Sequence, residues 1–176
     1  MLTLARNARS LAPERVSPGL LQALAAEAQA LAIVGRQREA LEHLRDLQEL
    51  TGRYSFSEEF GWCPSSIWFT SAWVSAYGGA TESAREARDA ALAASPSYQN
   101  AANVRLQEAI SVGKSGGYDE ALHLATQIMS DLDPAYRTNM IMHTARRVLD
   151  TVPVEKRAAL PALGDYRAAV NVPVPA

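Results

Sequence analysis

Three segments of this chain carry the same trio of small residues at the same spacing: Ala28, Gly35 and Ala40; Ala72, Gly79 and Ala84; Ala109, Gly116 and Ala121. In each, a glycine follows an alanine by seven residues and precedes the next by five, and the glycines lie 44 and 37 residues apart. A period of this size marks an array of small supersecondary units. The reason is steric. Two antiparallel helices joined by a short turn cross closely only where the facing side chains are small. Glycine takes the left-handed turn between them without strain. A lone hairpin leaves one apolar face bare, and stacking the next hairpin covers it.

The rest of the chain fits that reading. Apolar residues recur at helical spacing in several stretches: Ala40, Leu41, Leu44 and Leu47; Ala121, Leu122, Ala125, Ile128 and Met129; Ile141, Ala145, Val148 and Val152. Alanine, the best helix former, occurs 32 times in 176 residues. No stretch sustains a period-two alternation bounded by a hairpin turn. Breaks fall at Pro13, Pro18-Gly19, Gly35, Gly52, Gly78-Gly79, Ser95-Pro96, Gly116-Gly117, Asp133-Pro134 and Pro153. Eight helices are expected, near 2–12, 18–33, 37–50, 65–77, 81–94, 98–113, 118–131 and 135–151, with a ninth near 155–169. Residues 53–64 are expected to be a loop. The predicted fold is all-α: a right-handed stack of antiparallel helix hairpins in one domain, 1–170. The hairpins are 20–52, 65–96 and 102–134, with a partial hairpin at 1–17, capping helices over 135–170 and a disordered tail, 171–176. The first helix, with its stripe of Leu4, Ala8, Leu11 and Ala12, reads as half of a hairpin that needs cover.

The three landmark trios, with Trp68 ahead and Pro96 behind in the second and Pro134 behind in the third, resemble the tetratricopeptide repeat family over residues 20–135. Where that family carries an aromatic three residues after the first small one, this chain has Leu31, Ser75 and Val112. A second resemblance lies further on. Ala135-Tyr136-Arg137-Thr138, His143, Arg146-Arg147, Asp150, Pro153 and Asp165-Tyr166-Arg167 are similar to the carboxyl-terminal end of actinobacterial helix-turn-helix (XRE-type) transcription regulators. There a tetratricopeptide-like sensor or dimerisation domain follows a DNA-reading domain. No segment here shows a helix-turn-helix with a basic recognition helix, so DNA binding is not carried over.

Composition removes several classes. With 17 basic and 19 acidic side chains, a net charge of −2 and a pI near 5.9, the chain lacks the footprint of a nucleic-acid binder. Cys63 is the single cysteine, so no internal disulfide forms, and a cytoplasmic setting is expected. The start lacks the apolar run of a secretory signal, and the stretch 23–34, broken by Glu27 and Gln29, is too short to span a membrane.

Candidate chemistry is sparse. Gly113-Lys114-Ser115 ends like a phosphate-binding loop, but Glu108 stands where its first glycine belongs and no strand precedes it, so it reads as an inter-helix turn. His43, His123 and His143 are too far apart along the chain to share a helix face as metal ligands. The first two follow Glu39 and Asp119 by four residues, which suits surface pairing. Cys63 has no base nearby in sequence and reads as a packed or partly exposed loop thiol. Arg137, Arg146 and Arg147, flanked by Asp131, Asp133 and Asp150, read as solvated or ion-paired surface. The aromatics between Tyr54 and Tyr77 read as packing around the loop, with a recognition surface as the alternative.

If the first helix of each hairpin lines an inner groove, the residues facing it are Gln22, Ala25, Gln29, Ser66, Phe69, Trp73, Asn103, Leu106 and Ile110. That set is apolar with a few amides, suited to an apolar peptide segment or a small organic ligand, with Trp73 as anchor. The expected function is non-enzymatic: a protein-interaction or ligand-sensing module similar to the distal part of a bacterial transcription regulator, without cofactor, metal, membrane or direct nucleic-acid contact. The alternative is a free-standing adaptor that docks or forms a homodimer through its uncovered first helix. An enzyme is the third reading, for which no nucleophile, base and orienter are visible.

Overall fold

The computed structural model describes residues 2–11, 16–53, 62–79 and 81–171. Among them the chain is all-α, with ten helices and no strand: α1 (Leu2–Leu11), α2 (Pro18–Ile33), α3 (Gln37–Arg53), α4 (Pro64–Ala76), α5 (Glu82–Ala94), α6 (Tyr98–Lys114), α7 (Tyr118–Asp131), α8 (Asn139–Asp150), α9 (Val154–Arg157) and α10 (Leu163–Val170). Local chemistry starts these helices. The side-chain oxygens of Ser17, Thr81, Ser97 and Thr138 accept hydrogen bonds from the amides of Leu20, Ala84, Asn100 and Ile141, and Pro18 and Pro64 occupy first turns that need no donor.

The turns α2–α3, α4–α5 and α6–α7 each pass through a landmark glycine. Gly35, Gly79 and Gly116 have φ of 79°, 99° and 95°, and no other described residue has a positive φ. All six landmark alanines are buried. Ala28 and Ala40 share one core cluster, and Ala109 and Ala121 share another. Consecutive helices pair as α2 with α3, α4 with α5, and α6 with α7. α4 also packs on both α2 and α3, α6 on both α4 and α5, and α8 on both α6 and α7. α1 lies on α2, and α10 lies against α7 and α8. The largest core cluster joins α6, α7, α8 and α10 around Leu106, Ile110, Met129, Ile141 and Tyr166.

Two expectations need correction. The helix expected over 135–151 begins at Asn139. Asp133 and Pro134 first form a single 3-10 turn, Pro134–Tyr136, and Thr138 then caps the true start. The ninth helix, near 155–169, is two helices, α9 and α10, with Pro161 between them, where a missing N–H breaks the helical ladder. Most of the expected loop at 53–64 and all but Asn171 of the expected tail lie outside the described residues; Arg53 closes α3 and Pro64 opens α4. No described helix is long and apolar enough to cross a membrane.

Candidate functional site

Two adjoining hollows run across the middle of α2, the first half of α4 and the start of α6 to Met140 of α8. The first, of about 320 Å³, is lined by Gln22 and Gln29 of α2, Ser66, Phe69 and Thr70 of α4, and Trp62 before it. The second, of about 300 Å³, is lined by Phe69, Tyr98, Gln99, Asn103 and Met140. Phe69 and Asn100 belong to both, so the pair form one trough. No described residue of either lining is charged. Tyr98 and Tyr136 meet edge to face beside it, 5.0 Å between ring centres, and both are about half exposed.

The polar groups of the trough are partly committed. Thr70 Oγ1 donates to Ser66 O at 2.8 Å and stands 3.4 Å from Gln29 Nε2. Asn100 Nδ2 donates to Ala91 O and Ser95 O, which pins the α5–α6 turn. The buried Trp62 indole N–H has no acceptor. Cys63 sits at the start of α4 with Sγ 2.8 Å from Ser65 Oγ and 3.3 Å from Ser66 Oγ. Hydrogen bonds from Ser65 and then Ser66 hold its thiol below the usual cysteine range.

Of the nine residues expected to face a groove, Gln22, Ala25, Gln29, Ser66 and Phe69 come together here. The other four do not serve as open lining. Trp73 is 6% exposed, packed between Phe69 and Tyr77 at ring distances of 6.3 and 5.9 Å. Leu106 and Ile110 are fully buried. Asn103 touches the second hollow, but it is buried and bonded: its Nδ2 donates to Gln99 O and its Oδ1 accepts from Thr144 Oγ1 of α8 at 2.7 Å. The physical reason is α8, which packs on α6 and turns that face into core. Trp62 belongs to the aromatic cluster read from the sequence as packing or a recognition surface, whereas Thr70 and Asn100 escaped that reading. Asn100 had a positional signal, being in the first turn of α6, whereas Thr70 lies one turn beyond Ser66 on the same face of α4.

Other expectations also move. His43 does not pair with Glu39, which is taken by Arg36; its Nδ1 stands 3.9 Å from Glu27 of α2. Asp119 accepts from Ala162 N at 2.9 Å and leaves His123 exposed without it. Arg137 is buried and donates to three main-chain carbonyls, of Met129, Leu132 and Ala169. Arg147 pairs with Asp150 at 3.3 Å. Gly113 lies inside α6 rather than in a turn, and a Cβ there would come within 2.1 Å of Thr151 Oγ1. Among the described residues, no three His, Cys, Asp or Glu side chains gather as a metal site. No protein-family model, curated protein or solved structure matches this chain.

Proposed function

We propose that the chain is a right-handed, tetratricopeptide-like stack of helix hairpins that recognises an extended, uncharged polypeptide segment in the trough, without chemistry. The order of helix contacts supports the stack, because each hairpin's first helix touches both helices of the hairpin before it. The observation that carries the function is the trough itself: two hollows that share Phe69 and Asn100, lined by α2, α4, α6 and Met140 of α8, with no charged side chain in the lining. Neighbouring helix axes lie about 8–10 Å apart, so a segment crossing α2, α4, α6 and α8 covers roughly 25–30 Å, or about eight extended residues. Phe69 at the middle is the apolar anchor, and the Trp62 N–H suits a peptide carbonyl. The Cys63 thiol, at the start of α4 beside the trough, has hydroxyls rather than a base as neighbours, which suits binding and not turnover. The resemblance over 135–167 sets this module in a bacterial transcription regulator, as its sensor.

The test is selection from a display library of eight-residue peptides, followed by titration of the winners. Uncharged sequences should dominate, and Phe69→Asp should weaken them about tenfold or more with helicity retained. Winners rich in charge, or binding that ignores Phe69→Asp, would end the proposal. The adaptor reading rests on α1, whose Leu4 and Leu11 are 72% and 85% exposed. It requires a dimer by sedimentation that Leu11→Lys dissociates.

A further inference from the structure

A separate hollow, of about 300 Å³, lies where α4, α5 and α6 meet, and it shares no lining residue with the trough. Its origin is in the second hairpin. In the first and third hairpins the paired landmark alanines close into common core clusters. In the second, Ala72 and Ala84 both face the hollow, and no larger side chain of the alanine-rich α5 fills it.

Gln107 of α6 lines this space. It is 2% exposed, and both the nitrogen and the oxygen of its carboxamide are buried without a hydrogen-bond partner. Buried amides are normally bonded, and Asn103, one turn earlier on α6, uses both ends of its own. Ser111, one turn later, adds a hydroxyl to the same lining. The charged residues at the hollow neutralise one another. Arg88 pairs with Glu108 across α5 and α6, and Arg85 pairs with Glu82 on α5.

We propose that this hollow binds a small, flat, uncharged molecule whose edge carries a donor beside an acceptor, as in a primary amide or a lactam ring. Gln107 presents the matching pair, its N–H to the ligand's carbonyl and its carbonyl to the ligand's N–H. Alanine and valine walls take the apolar faces of the ring. Paired arginines and carboxylates give neither an anion nor a cation a partner to claim. The volume, at the low end for ligand pockets, sets the size at a single ring with small substituents.

The experiment uses the full chain with 2-pyridone, nicotinamide, nicotinate and N-methyl-2-pyridone as probes, read by titration and by the Gln107 side-chain amide signals in NMR spectra. The first two should bind with millimolar affinity, as expected for so few atoms, and shift those signals. N-methyl-2-pyridone, which lacks the donor, and nicotinate, which is charged, should bind about tenfold more weakly. Gln107→Leu should erase the preference for 2-pyridone over its methylated form. Ala84→Leu should block all four by filling the space while Gln107 remains. Equal binding of both pyridones overturns the proposal. So do undiminished binding to Gln107→Leu, unmoved Gln107 signals, or contact of those signals with water alone.

Discussion

Gly35, Gly79 and Gly116 take left-handed backbone, and two of them separate strain from crowding. A Cβ at Gly116 would meet nothing within 4 Å, so Gly116→Ala carries only the left-handed penalty, about 1–2 kcal/mol. A Cβ at Gly79 would come within 2.9 Å of Ser115 Oγ, so Gly79→Ala should cost more. Ser115→Ala alone and combined with Gly79→Ala completes the cycle: the two together should cost less than the sum of their separate costs. Urea midpoints of these proteins check this, and equal losses for both single glycine variants would refute the crowding. Arg137 teaches the opposite lesson about reading sequence. Its local neighbours are aspartates, yet it bonds the carbonyls of Met129 and Leu132 at the end of α7 and of Ala169 near the end of α10. A guanidinium there satisfies orphan carbonyls and opposes two helix dipoles. Arg137→Met should cost about 3 kcal/mol or more in urea unfolding, and Arg137→Lys should recover less than half, since one ammonium cannot reach all three. The glycines were legible because φ is a property of one residue. Arg137 was not, because its partners lie up to 32 positions away.

Helices were legible to within a few residues because caps and periodicity are local, as at Ser17, Thr81 and Ser97. Which face of a helix is open depends instead on what packs next. α8, expected as a cap, lies on α6 as α6 lies on α4, so Leu106 and Ile110 are core. The amino-terminal helix is held differently. Among the described residues of α1, only Ala5 is buried. Its anchor is Glu27 of α2, 4% exposed, which accepts from Arg6 Nε at 3.1 Å and Arg9 Nη1 at 3.3 Å. Both arginines are nearly half exposed, so the pairings are discounted for solvent to about 1–2 kcal/mol in all. Glu27→Gln should therefore loosen chiefly α1, since His43 Nδ1 of α3 stands farther off at 3.9 Å. Trypsin cleavage after Arg6 and Arg9 should quicken about tenfold, with the thermal midpoint nearly unmoved. Cleavage at the unaltered rate would mean that Leu2 and Ala5 suffice to hold the helix.

At the scale of the whole molecule Tyr77 links two core clusters, packing against one centred on α2 and α3 and against another on α6 to α8 and α10. That position gives the fold an alkaline limit. Burial pushes the Tyr77 phenol up to about 12, and it likewise pushes Tyr166, whose hydroxyl donates to Ala145 O at 2.7 Å, up to about 12. Both are raised above the unfolded value of about 10, so below that pH native and unfolded chains hold the protons alike and stability is fully present. Above it the unfolded chain releases protons first. Stability should fall between pH about 10 and about 12, by up to roughly 3 kcal/mol for each tyrosine. Urea unfolding at pH 8 and pH 11.5 reads the loss. Tyr77→Phe removes a buried hydroxyl that has no partner, so its stability at pH 8 should be unchanged or about 1 kcal/mol higher, and its alkaline loss should shrink by about half. Tyr166→Phe should also reduce the alkaline loss, but it should cost about 1 kcal/mol at pH 8, because its hydroxyl is bonded. A full alkaline loss in both variants would place the titrating groups elsewhere.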